Sequence, residues 1–158
     1  MTPINVTDKD HENERRAADI LSSYFPAVVD IELHSSDKIA RYDATVTSET
    51  GNKSILEIRC RETYSCDRLE SMGPFINLHK VWPLIHEARS RGTSARFMVL
   101  ASDGFLLYNL YCHLSDTALD GNRTLEYGKP ARNVSRGQDR NDSCFVVYLR
   151  NPIKKIKF

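Results

Sequence analysis

The sequence predicts an α/β fold: a central mixed β-sheet with helices on its faces. Two stretches carry apolar residues at helical spacing, several short stretches are rich in Val, Ile, Thr and Tyr, and the order along the chain is helix, three strands, helix, two strands. Alternation of this kind stacks helices on a sheet. The 158 residues, 41% hydrophobic and 27% charged, suit one soluble globular domain with enough chain for a real core.

The first helix is expected over residues 11–25, with Asp10 as its cap and Pro26 as its stop. Ala17, Ala18, Leu21 and Phe25 fall on one stripe, and Glu14 precedes them at helical spacing, so this carboxylate belongs to the inward face. It is there as a partnered or functional group, or it borders the stripe and reaches solvent. A strand follows at 28–33. Residues 40–48 and 52–62 then read as a hairpin closed by Glu49-Thr50-Gly51, with Gly51 in the left-handed position that such a turn needs. That register sets Ser48 against Asn52 and Asp43 against Glu57.

Residues 63–73 read as a polar connection. A second helix is expected over about 79–90, with Val81, Trp82, Ile85 and Ala88 inward, Pro83 tolerated in a first turn starting near Lys80, and Gly92 as the stop. Residues 95–101 and 105–112 read as two strands joined at Ser102-Asp103-Gly104. Residues 115–143 form a long polar segment with Gly121, Gly128, Pro130 and Gly137, a length that is usually functional or disordered. The stretch 144–150 returns as a last strand, and 151–157 trails off basic.

One place has the spacing of chemistry. Opposed residues of a hairpin lie roughly 5 Å apart at Cβ, so Asp43 and Glu57 are close enough to share a divalent cation. Two carboxylates held so close repel unless a cation or a proton intervenes. Mg²⁺ suits such a site, since it takes one or two carboxylates with water and phosphate oxygens as its other ligands. Glu57, Arg59 and Arg61 alternate onto one face, with Leu56, Ile58 and Cys60 on the other, so one face is expected to be core and the other a polar site. The basic side chain two residues after Glu57 can stabilise charge developing on a phosphate. The competing reading is a solvated hairpin face with ordinary cross-strand ion pairs.

The arrangement resembles the PD-(D/E)XK nuclease superfamily: a helix with Glu14, a strand, a strand with Asp43, a strand with Glu57-x-Arg59, a helix, then two more strands. Leu56-Glu-Ile-Arg-Cys-Arg61, Phe75-Ile-Asn-Leu-His-Lys80 and Asp103-Gly-Phe-Leu-Leu-Tyr-Asn-Leu110 look like small phage-type members. The likeness covers about residues 10–112. It implies a restriction-endonuclease-like α-β-β-β-α-β core, hydrolysis of DNA phosphodiester bonds with Mg²⁺ or Mn²⁺, and a metal held by Asp43 and Glu57 with Glu14. The chain departs from the pattern at Arg59, which stands where the family has its catalytic lysine. A guanidinium clamps phosphate but does not exchange protons. Lys80 and Lys53 are the candidates to replace it, Lys80 being the better placed.

The net charge is only +1, but it is uneven: nine basic and three acidic residues from 123 to 158 give +6 there, leaving −5 on the rest. Such asymmetry pairs an acidic body able to hold metal with a basic region for phosphate. Arg61, Arg132, Arg136, Arg140, Lys154 and Lys155 are the expected nucleic-acid contacts, and DNA the expected partner. A catalytically weakened relative that binds nucleic acid or a protein is the alternative, and an interaction component a third class. The four cysteines have no CxxC spacing, and Cys60 and Cys144 sit in apolar strand patterns as small core residues. No membrane span is present, and residues 1–10 lack the apolar stretch of a signal peptide, so the expected compartment is the cytoplasm, that of the host for a phage-encoded chain. A homodimer is compatible with the sequence.

Overall fold

The structure is a computed structural model that describes residues 8–34, 42–119, 124–128 and 144–158. Its core is the expected mixed sheet between helices. Helix α1 (Asp8–Tyr24) leads into strand β1 (Val28–Leu33), and β2 (Ala44–Ser48) and β3 (Lys53–Cys60) form the hairpin. A short helix α2 (Cys66–Met72) and strand β4 (Phe75–Asn77) precede helix α3 (Leu78–Arg91). Strands β5 (Ser94–Leu100) and β6 (Gly104–Cys112) follow, then β7 (Thr117–Ala118), β8 (Thr124–Gly128), β9 (Cys144–Tyr148) and β10 (Lys154–Lys157). The main sheet runs β1-β2-β3-β5-β6-β10 with β7 on β6, and a second sheet runs β4-β9-β8. Every described pairing in the main sheet is antiparallel except β3 with β5. That parallel step requires a crossover, which the 61–93 segment supplies.

The β2–β3 hairpin has the register read from the sequence, Ala44 against Leu56 through Thr47 against Lys53. Gly51 takes φ 83°, and its N–H donates to Ser48 O at 2.9 Å. Only a residue without Cβ enters that region at no steric cost.

The two faces of the sheet carry separate cores. Ile55, Phe97, Val99, Leu106 and Tyr108 pack with Val81, Leu84, Ile85 and Ala88 of α3. Leu56, Ile58, Met98, Leu100, Phe105 and Leu107 pack with Ala17 and Leu21 of α1. The expectation of one apolar and one polar face of β3 is therefore corrected: Ile55, Leu56, Glu57 and Ile58 are all buried. β5 covers the second edge of β3 and draws both faces indoors, as parallel pairing generally does.

Other expectations are revised. The chain is already helical at Asp8, so Asp10 is not the cap of α1. Helix α3 starts at Leu78, which puts Pro83 in its interior, where the missing N–H leaves the His79 carbonyl without its helical partner. Trp82 is 48% exposed and Leu84 takes the inward position. The 63–73 connection contains α2, capped by Ser65, whose side chain accepts from Arg68 N at 3.1 Å. The 115–143 segment contains β7 and β8, and the basic tail forms β10 on the edge of β6. A Cβ on Gly104 would lie 1.9 Å from Ile156 O, so this glycine admits the β10 backbone as well as closing the turn. Cys60 is half-buried, and Cys66 is the fully buried thiol. The Cys144 side chain lies outside the described residues.

Candidate active site

Glu57 is the buried acid around which the site is built. It sits in the buried middle of β3, 4% exposed, on the α3 side. Lys80, from the first turn of α3, reaches down to place Nζ 2.5 Å from Glu57 Oε1. Arg59 Nη2 lies 3.7 Å from the same oxygen. One carboxylate is thus faced by two cations, each about a third exposed.

Asp43 arrives from the other strand of the hairpin. It ends the backbone ladder and continues it with its side chain: Asp43 N–H donates to Leu56 O at 3.0 Å, and Ile58 N–H donates to Asp43 Oδ2 at 2.7 Å. The carboxylate takes the place of a strand carbonyl and is fixed against β3, one residue from Glu57. Its carbonyl accepts from His34 N–H at 2.8 Å, which ties it to the end of β1 as well.

Burial dominates the electrostatics. It raises the Asp43 pKa above the ordinary carboxylate value, with the nearby Glu14 charge adding to the rise while the Ile58 N–H, Lys80 and Arg59 oppose it. Burial likewise raises the Glu57 pKa, Asp43 adds to the rise, and Lys80 and Arg59 oppose it. Glu14 thus disfavours the ionised form of Asp43, and Asp43 that of Glu57, as like charges drawn close in a desolvated place do. Glu14 is buried on α1 and enters the cluster through its effect on Asp43. Among the described residues no three His, Cys, Asp or Glu side chains stand together as a metal group, Glu14 with Asp43 and Glu57 included.

The remaining expected site residues are distributed unevenly. Lys53 starts β3, four residues before Glu57 and so roughly 13 Å along the strand, and of the two lysine candidates Lys80 is the one at the site. Arg61 is exposed two residues beyond Arg59, whose like charge joins burial in lowering its pKa. Lys154 is exposed on β10. Lys155 is engaged by Asp67 Oδ1 at 2.5 Å and Glu70 Oε1 at 3.0 Å. Arg132, Arg136 and Arg140 lie outside the described residues.

Sequence reasoning missed the support under Asp43. Tyr42 is buried, its hydroxyl accepts from Arg91 Nη1 at 2.8 Å, the Arg91 guanidinium also lies 5.8 Å from its ring centroid, and the His34 ring meets it edge-on at 5.2 Å. An aromatic in a strand pattern gives no signal of such a role. Only α3, distant in sequence, supplies the arginine that fixes it.

No protein-family model matches this sequence, and no curated protein matches it. Among solved structures, the chain is similar to Hjc, a Holliday junction resolvase from the archaeal hyperthermophile Archaeoglobus fulgidus. The TM-score is 0.47 at 12% identity, over 87% of this chain and 84% of that one.

Proposed function

We propose that this protein is a metal-dependent DNA endonuclease of the PD-(D/E)XK type in which Lys80 takes over the place of the lysine that Arg59 has displaced. The contact between Lys80 Nζ and the buried Glu57 carboxylate, 2.5 Å, carries the reading. It brings the lysine ammonium to the acid that the family resemblance assigns to the metal.

The residues fit a divalent ion. Two desolvated carboxylates, both with raised pKa, lie beside basic groups that are partly exposed and so free to turn toward phosphate. Mg²⁺ or Mn²⁺ bound by Asp43 and Glu57 would supply a Lewis acid for the phosphate and lower the pKa of attacking water. Asp43, already accepting from the Ile58 amide, offers its remaining lone pairs in a fixed direction. Arg59 would hold the phosphate by its fork, and Lys80, whose ammonium already stands at the site, would donate to the developing charge or exchange the proton that an arginine cannot. Arg61 and the 123–158 segment extend the phosphate contacts along the backbone.

A second reading, DNA binding without cleavage, has one observation in its favour: the Lys80 ammonium occupies a Glu57 oxygen that the ion needs. Incubation with plasmid, single-stranded and branched DNA in Mg²⁺ or Mn²⁺ separates the two. Cleavage lost in both Asp43→Asn and Glu57→Gln supports the nuclease. A salt-dependent mobility shift without cleavage supports the binder.

A further inference from the structure

Strand β5 sends Ala95, Phe97 and Val99 to the α3 core and Met98 and Leu100 to the α1 core. By the same alternation Arg96 faces the α1 side, next to Leu56 on β3 and opposite Asn109 on β6. It is the one cation of that strand and it is half-buried. Its Nε donates to Asn109 Oδ1 at 3.3 Å, and among the described residues no carboxylate lies within ion-pairing distance of its guanidinium. Burial lowers its pKa, and the Cys112 thiol is what opposes that.

The contrast with the active site is direct. Arg59 and Lys80 share the charge of Glu57, whereas Arg96 has been drawn from water and given a neutral amide. A guanidinium has five N–H donors, and Arg96, whose hydrogen-bond partner among the described residues is a neutral amide, has donors left for an anion. Its neighbours are donors too. Ser54 and Ser94, paired across β3 and β5 and half-buried, lie one step along the same face. Ser94 Oγ already accepts from His113 N–H at 3.0 Å, which leaves its hydroxyl hydrogen to donate.

We infer that Arg96, with Asn109, Ser54 and Ser94, forms a phosphate-binding site on the α1 face of the sheet, across the strands from Glu57. A forked cation and hydroxyl donors, with no carboxylate of the described residues paired to the guanidinium, match a tetrahedral oxyanion. The group recognised is a phosphate, whether of a nucleic-acid backbone or of a small phosphorylated molecule.

The test is thermal unfolding of the full chain titrated with inorganic phosphate against NaCl at matched ionic strength. The native protein should show a saturable rise in Tm, about 3–6 °C at roughly ten times the dissociation constant, with no rise in NaCl. Arg96→Met should abolish the rise, and without phosphate should melt no lower than the native chain, because the substitution removes a half-buried charge that no carboxylate of the described residues matches. Phosphorus NMR of inorganic phosphate with the native protein gives a readout that needs no variant to fold: broadening that saturates supports the site. Displacement of that phosphate by a short DNA duplex assigns it to backbone phosphate, and displacement by a nucleoside monophosphate alone assigns it to a small molecule. Absence of a saturable response in the native protein, or its persistence in Arg96→Met, overturns the inference.

Discussion

Replacing Lys80 by methionine removes the ammonium and keeps most of its stem. The ammonium lies 2.5 Å from Glu57 Oε1, and Glu57, 4% exposed, gains almost nothing from water in exchange. Removing one partner of a buried pair typically costs about 3–5 kcal/mol. Three features lower that figure. Lys80 is 34% exposed, so solvent already screens the pair; Arg59 stays 3.7 Å from the same oxygen; and Glu57 can take up a proton. A cost of about 1–2 kcal/mol remains, or about 2–8 °C in Tm for a chain of this size. The sign with pH follows from linkage. The Glu57 pKa is raised in the folded state above its ordinary 4.5, so its protonation stabilises the fold most below that value, and the contribution is lost as pH rises through the folded pKa. Without Lys80 the folded pKa rises further. Circular-dichroism melts of Lys80→Met should therefore show the deficit near pH 7 and little of it near pH 4. The same variant should lower kcat for DNA cleavage by about 10²–10⁴ if Lys80 exchanges a proton. A Tm deficit equal at both pH values, or none at all, would refute the view that Lys80 neutralises Glu57.

Glu57→Gln and Asp43→Asn should each raise Tm near neutral pH in metal-free buffer and flatten the fall in stability as pH rises above the ordinary carboxylate range, since both native acids have raised pKa values; melts that track the native profile would contradict this. Arg59→Lys should raise cleavage if the native chain lacks an effective proton donor, and leave it nearly unchanged if Lys80 already serves; turnover on a fixed DNA substrate distinguishes these. Replacing Arg132, Arg136 and Arg140 together with alanine should reduce the slope of log affinity against log salt by up to about 3; an unaltered slope would remove that segment from the interface.

The hairpin that carries the two acids was legible because its evidence is local. Alternation fixes which residues share a face, Gly51 fixes the turn, and together they fix the register that sets Asp43 toward Glu57. The burial of Glu57 was not legible, because it depends on β5, paired in parallel from some forty residues downstream. β10 was missed for a different reason: Lys-Lys-Ile-Lys offers one apolar residue, and lysine is what an exposed edge strand carries to discourage further pairing. Helix α2 has only seven residues, too few to declare a period. Trp82 was misplaced because an aromatic on a helix border reads as core, while the α3 face turned toward the sheet is filled by Val81, Leu84, Ile85 and Ala88. Lys80 could be named from its place in the sequence, but its contact with Glu57 depends on how α3 lies across the sheet.

Mn²⁺ binding to the native chain, followed by calorimetry or by the electron paramagnetic resonance signal of the free ion, tests the proposed metal site most directly. One ion per chain is expected, bound more weakly as pH falls because protons compete for Asp43 and Glu57, and lost in both Asp43→Asn and Glu57→Gln. Undiminished binding in both variants, or no binding by the native protein with or without DNA, would contradict a divalent-metal site at these two carboxylates.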